Sequence, residues 1–171
     1  YSPELAKRVY HLGKPSFTDS VSTASLAVMQ NGERNFNFNR HFFDSLNQHE
    51  MAFVILHETL HYAFCHPFRC QDRSPALWNI ACDLVVNTFL LEKVGFANIA
   101  SSEFRRFLES AITFENLNIA PVSHRLNLTA EEVYDLLAKR PKLLKKNSIC
   151  LNACDDHQWS GNGQDETEGA G

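Results

Sequence analysis

The clearest strand pattern along the chain lies between residues 22 and 40. Polar and aromatic residues alternate over 35–39, as expected for a strand with one buried face. The pair Asn31-Gly32 precedes this run, and both residue types tolerate the positive φ angles of a tight hairpin turn. We therefore predict a β-hairpin over residues 22–40.

Apolar residues at helical spacing indicate a helix in the segment that follows. Asn47 and Glu50 have the spacing of a capping box, which marks the start of a helix. Apolar residues then recur every three or four positions as far as Phe64. Pro67 disfavours helical geometry at the preceding residue, so this helix should end near His66.

Four further segments show helical patterns. Their ranges are 3–12, 75–93, 101–111 and 129–141. Gly95 suits the C-terminal cap of the second, and Thr129 begins the last with another capping box. From Gly161 the chain is rich in glycine, polar and acidic residues, which is typical of disorder. We predict one α+β domain over 1–160, mostly helical with a small hairpin or sheet, followed by a polar tail over 161–171.

The amino-acid composition of the chain argues against some classes of binding partner. The chain has 171 residues, 44% of them hydrophobic, which suits a single domain with an ordinary core. A net charge of −4 and the lack of a basic stripe argue against nucleic-acid binding. No apolar run approaches the roughly 18 residues that cross a bilayer, so we expect no membrane association. Five irregularly spaced cysteines are typical of reduced thiols, and we expect a cytoplasmic protein.

The strongest chemical signal is the motif His57-Glu58-x-x-His61 in the first predicted helix. Residues four apart lie on one helix face, so both imidazoles can bind the same ion. Glu58 lies about 100° around the helix, beside that ion, where a carboxylate can reach a metal-bound water. The motif predicts a hydrolytic zinc site with Glu58 as general base. The alternative is a purely structural helical domain with a chance match, which would contain no metal.

A catalytic zinc ion usually has a third protein ligand. His66 is nearest in sequence, but on a continued helix it would lie about 180° from His57. A sharp turn could redirect His66, yet no glycine stands between His61 and His66 to provide one. If another residue supplies the third ligand, His66 and Arg69 could orient a ligand or pair with a carboxylate.

Asp83 is the favoured third ligand. Asn79, Asp83 and Asn87 are spaced four apart and form one polar stripe on an otherwise apolar helix. A buried aspartate needs a partner, and a divalent cation would supply one. A surface stripe, or an ion pair between Asp83 and Arg69 or Arg73, is the alternative.

The C-terminal segment contains two weaker candidates. Cys150 and Cys154 could belong with His157 to a structural zinc site, although no fourth ligand is evident. His157 could instead fold back on the active site and donate a hydrogen bond to an oxyanion. An ordinary polar segment is equally consistent with these residues.

Together these residues resemble a known family, the zinc-dependent metallopeptidase domain often found ahead of a von Willebrand factor A-like domain in bacterial and phage proteins. The resemblance covers most of residues 20–160. In chain order, the matching positions are Thr23-Ala24, Asn31-Gly32, His57-Glu58-x-x-His61-x-x-x-x-His66-x-x-Arg69, Trp78-Asn79-x-Ala81-x-Asp83-x-x-x-Asn87, Thr129-Ala130-Glu131-Glu132-x-Tyr134-x-x-Leu137 and Asp156-His157-x-Trp159.

The resemblance implies a compact zincin-like fold with the edge strand of the hairpin beside the metal helix. It implies that Asp83 is a zinc ligand, and it favours a catalytic role for His157. The implied function is a zinc peptidase of gluzincin or aspzincin type acting on a peptide or protein. A zinc-containing binding module with little or no turnover, which recruits a protein partner, is the alternative. No A-like domain follows Trp159 in this sequence, so we expect a separate or missing A-like domain to mediate larger assembly.

Overall fold

Three strands and six α-helices form the part of the chain that the computed structural model describes, residues 13–28, 33–119 and 125–140. The mostly helical α+β fold predicted from the sequence is confirmed. The elements are β1 (Lys14–Phe17), β2 (Ala24–Val28), β3 (Arg34–Phe38), α1 (Arg40–Asp44), α2 (Gln48–Ala63), α3 (His66–Arg69), α4 (Pro75–Phe89), α5 (Ser102–Glu109) and α6 (Ala130–Ala138). The predicted helix over 3–12 and tail over 161–171 lie outside the described residues.

The sheet has the order β1-β3-β2, with β3 in the centre. β2 runs antiparallel to β3 and pairs Ala24 with Phe38, which confirms the strand pairing of the predicted hairpin. The pair Asn31-Gly32 lies outside the described residues. β1 runs parallel to β3 and was not predicted. The alternating pattern buries Phe36 and Phe38, as expected for a sheet with one face on the core.

Helix α2 begins with the predicted capping box. The Asn47 side chain accepts hydrogen bonds from the backbone N–H groups of His49 and Glu50. The Glu50 carboxylate accepts one from the Asn47 backbone N–H at 2.8 Å. This reciprocal cap satisfies backbone donors that the first turn leaves without helical partners. β2 packs against α2, so the edge strand of the described sheet lies beside the helix that carries the histidine motif.

A sharp turn separates α2 from α3. Cys65 adopts the left-handed conformation, with φ 57° and ψ 28°, and α3 begins at the next residue, His66. The expectation that a sharp turn here requires glycine was therefore wrong. The Arg69 guanidinium donates to the Phe64 carbonyl at 2.7 Å and forms a two-point ion pair with Glu131 of α6. These contacts hold the turn in place.

Helix α4 packs against α2, which carries the histidine motif, and is mostly buried after its first turn. Pro75 occupies its first turn, where the missing N–H costs no helical hydrogen bond. After Phe89 the chain continues as a π-helical turn over Leu90–Val94 and ends at Gly95, whose φ is 93°. α4 packs on α6 around one apolar cluster, and α2 and α5 pack around a second that includes Phe53 and Phe104. Among the described residues, no helix combines the length and apolar character needed to cross a bilayer.

Candidate metal centre

Three buried side chains from two helices converge on one point. α2 places His57 and His61 one turn apart on the same face, and α4 places Asp83 opposite them. The two Nε2 atoms lie 3.0 Å apart. The Asp83 Oδ1 atom lies 3.5 Å from Nε2 of His57 and 3.2 Å from Nε2 of His61. The structure thus brings together the three residues that the sequence assigned as metal ligands.

The triangle of donor atoms has the size that a zinc ion requires. In a tetrahedral site with bonds of about 2.0–2.1 Å, neighbouring ligand atoms lie about 3.3–3.4 Å apart. The three observed separations, 3.0, 3.2 and 3.5 Å, bracket that spacing. Two imidazoles with one carboxylate form a common donor set for catalytic zinc, and three protein ligands leave one position open. The residues present therefore fit the ion.

The orientation of His57 is set by Asn87, one turn after Asp83 on α4. The Asn87 amide nitrogen donates to the Ile112 carbonyl at 2.9 Å, which fixes the amide so that its oxygen faces His57. Nδ1 of His57 lies 2.8 Å from that oxygen and must be the protonated nitrogen. Nε2 therefore presents a lone pair towards Asp83 and His61, as metal ligation requires.

His61 has a second histidine on its other side. Nδ1 of His66 lies 3.3 Å from Nδ1 of His61, while the His66 carbonyl accepts a hydrogen bond from the indole of Trp78 at 3.1 Å. Metal ligation through Nε2 of His61 would place the hydrogen of this ring on Nδ1, where it would be donated to His66. His66 therefore lies beside His61, a predicted ligand, as one sequence-based alternative held, and it reaches that place through the left-handed turn at Cys65.

Charge states in the centre favour cation binding. Burial lowers the pKa of His61 to about 3, and the neighbouring His57 adds to the effect despite the attraction of Asp83. Burial by itself would raise the pKa of Asp83, but contacts with His57 and His61 outweigh it and hold the pKa well below its usual value. His61 is thus neutral and Asp83 ionised near pH 7. A neutral imidazole and an ionised carboxylate are the protonation states in which these groups bind a metal ion.

The alternative that Asp83 forms an ion pair with Arg69 or Arg73 is wrong, because both arginines contact other residues. Arg69 binds Glu131, and the Arg73 guanidinium lies 5.2 Å from the ring centroid of Trp78 and 5.7 Å from that of Tyr134. A surface location for Asp83 is also wrong, because only 4% of the residue is exposed. The polar stripe on α4 faces the interior, as a metal-binding stripe must.

Glu58 lies on α2 next to His57, and its side chain is fully buried. A carboxylate in that position has the sequence relation to the two histidines that a general base needs. His157, Cys150 and Cys154 lie outside the described residues, so the oxyanion role predicted for His157 stays a prediction.

A pocket of about 350 Å³ opens beside the metal centre, and the sequence analysis did not identify it. We call it the side pocket. It is lined by residues from the segment just before β2, from α1, α2, α4 and α5, and from the segment after α5: Ser22, Thr23, Phe42, Phe53, Val54, His57, Asp83, Asn87, Phe107, Ser110, Ala111 and Ile112. These residues are far apart in sequence, and no local pattern connects them.

A comparison with known protein families gives the family of the chain. A family model described as "Putative metallopeptidase domain" matches residues 16–171. No curated protein and no solved structure matches the chain. The match includes His57, His61 and Asp83, a cluster that could hold a metal ion. On the extent of this match, the chain belongs to this metallopeptidase-domain family, whose description supports peptidase activity.

Proposed function

We propose that the protein is a zinc-dependent peptidase in which His57, His61 and Asp83 hold the ion. The observation that carries the proposal is the convergence of the two Nε2 atoms and one carboxylate oxygen, all within 4.8 Å of one another. The contacts of Asn87 and His66 with the far side of each imidazole support it, because metal-binding histidines commonly use their second nitrogen this way. The donor set is of the gluzincin or aspzincin type.

Glu58 is the proposed general base. When bound, zinc lowers the pKa of a coordinated water and polarises the scissile carbonyl. Glu58 accepts a proton from the attacking water and passes it to the leaving amine. His157 is proposed to donate a hydrogen bond to the oxyanion, a role that rests on the family resemblance.

The substrate is proposed to be a peptide or protein segment in extended conformation. β2 is an edge strand of the described sheet and packs against α2. Ser22 and Thr23, directly before β2, line the side pocket together with His57. A peptide that pairs with the outer edge of β2 would therefore run past the metal centre.

Replacing the proposed base separates metal binding from turnover. Glu58→Gln keeps the size of the side chain but removes its basicity, so the variant should retain zinc and lose cleavage of a peptide library. Glu109→Gln, an exposed change at the end of α5, is the matched control and should cleave like the wild type. Full activity of the Glu58→Gln variant would reject this mechanism.

One observation favours a second candidate, a zinc-containing module that recruits a protein partner with little or no turnover. Glu58 is fully buried and does not line the side pocket. A protein of this kind would bind zinc and cleave no peptide of the library, and its Glu58→Gln variant would behave like the wild type in every assay. Cleavage by the zinc-loaded wild type that is lost in the Glu58→Gln variant would exclude the module.

A further inference from the structure

We propose that the side pocket binds a large apolar side chain of the substrate, next to the bond that is cleaved. This inference rests on the proposed function and adds the substrate class to it. His57, Asp83 and Asn87 belong both to the metal centre or its support and to the lining of the side pocket. A residue whose carbonyl reaches the metal centre would therefore have a side chain, its own or its neighbour's, at the mouth of the pocket.

The walls of the side pocket are apolar. Phe42, Phe53, Val54, Phe107 and Ile112 supply them. Beyond the metal-centre residues, the polar lining consists of three hydroxyl-bearing residues, Ser22, Thr23 and Ser110. The lining contains no lysine, arginine or glutamate. Asp83 is the acidic residue of the lining, and in the zinc-loaded protein the metal would occupy its carboxylate. A charged substrate side chain would then lose its hydration without gaining an ion pair, whereas an apolar one gains from leaving water.

The volume of the side pocket favours large side chains. About 350 Å³ lies at the lower end of the range of about 300–1,000 Å³ typical of small-molecule sites. An aromatic or branched aliphatic group fits in that space and contacts several walls at once. A methyl group would leave most of the walls without contact, and so would gain little from binding there.

The walls are held in place by packing that does not depend on a ligand. The Phe53 ring packs edge-on against Phe96 at 5.3 Å and against Phe107 at 5.8 Å between ring centroids. The hydrogen bond from Asn87 to the Ile112 carbonyl ties the segment after α5 to α4. A group that fills such a pocket binds without rearranging the walls. A smaller group leaves space that the fixed walls do not close, so the pocket discriminates between side chains of different size.

The test compares two zinc-anchored probes on the zinc-loaded protein by titration calorimetry. Acetohydroxamate carries only a methyl group, and 3-phenylpropionohydroxamate adds a benzyl group to the same anchor. We expect the benzyl probe to bind at least about tenfold more tightly, because its aromatic ring would be buried against the walls of the side pocket. Equal affinity of the two probes would overturn the inference, while zinc-dependent binding of both would leave the proposed metal centre standing.

A variant that fills part of the side pocket provides a second test of the inference. Ala111 lines it and is half-buried, so Ala111→Leu should occupy part of the space and cut the preference for the benzyl probe to below about threefold. Ala138→Leu, on the exposed end of α6, is the matched control and should keep the full preference. Zinc content and the circular dichroism spectrum check that the Ala111→Leu variant is folded and loaded. An undiminished preference for the benzyl probe in a folded, zinc-loaded Ala111→Leu variant would also overturn the inference. A wild type that takes up no zinc would instead overturn the proposed function itself.

Discussion

Asn87 accepts a hydrogen bond from Nδ1 of His57 at 2.8 Å, and this contact decides which nitrogen of His57 faces the metal centre. The Asn87 amide is itself held by the Ile112 carbonyl, so its oxygen cannot exchange places with its nitrogen without losing both hydrogen bonds. Asn87 thus acts on the proposed ion through His57, as a positioning residue.

Removing this contact should weaken zinc binding without abolishing it. Asn87→Ala leaves His57 free to rotate and to place its hydrogen on either nitrogen, so we expect zinc affinity to fall by about 10–100-fold. Competition with a chelator of known affinity measures the change. Asn87→Asp keeps an acceptor for Nδ1 and should recover part of the loss, whereas Asn98→Ala, on the exposed turn after Gly95, should bind zinc like the wild type. Unchanged zinc affinity in Asn87→Ala would contradict the positioning role.

His66 should influence zinc affinity to a smaller extent than a ligand does. Its ring contacts His61 on the side away from Asp83, so His66→Ala should keep about one zinc per chain while affinity falls roughly tenfold. The same chelator competition measures this variant. Complete loss of zinc in His66→Ala, with the protein still folded, would contradict this positioning role and indicate that His66 is itself a ligand.

The ion pair between Arg69 and Glu131 should stabilise the fold in a pH-dependent way. Burial tends to raise the pKa of Glu131, but the hydrogen bonds from Arg69 prevail and lower it. A lowered pKa contributes stability above the unfolded-state value, about 4.5, and that stability is lost as the pH falls through the lower folded-state value. The pair is about one-third exposed, so we expect Glu131→Gln to cost no more than about 1 kcal/mol at pH 7.

Urea unfolding at pH 7 and near pH 3 measures this contribution. The difference between wild type and Glu131→Gln should shrink at the lower pH, because the wild-type carboxyl becomes protonated there. The exposed change Glu109→Gln serves as the control for a lost surface charge. A difference that grows as the pH falls would contradict the proposed sign.

Local sequence patterns predicted the parts of this structure that depend on neighbours along the chain. The capping box at Asn47 and Glu50 marked the start of α2, because both partners lie within one turn. Asp83 was assigned from its place in a polar stripe on an apolar helix, since burying an aspartate requires a partner. The structure brings it to the two histidines of α2.

Features that depend on distant residues or on strained backbone were missed. Cys65 adopts a left-handed conformation that sequence analysis reserves for glycine and asparagine, so the turn that brings His66 to His61 was missed, although His66 had been named as a residue that could orient a ligand. β1 pairs with β3 in parallel through a register that no local alternation in Lys14–Phe17 reveals. The side pocket combines residues from Ser22 to Ile112, so only the folded chain shows it.

The most direct test of the account is the zinc content of the purified protein by elemental analysis, beside Asp83→Ala and the exposed control Asp72→Ala. Asp83 supplies the carboxylate that completes the three-atom site, so its loss should leave two imidazoles that hold zinc weakly. The account predicts about one zinc per chain in the wild type and in Asp72→Ala, and little or none in Asp83→Ala. A wild type that holds no zinc after reconstitution at neutral pH would contradict it.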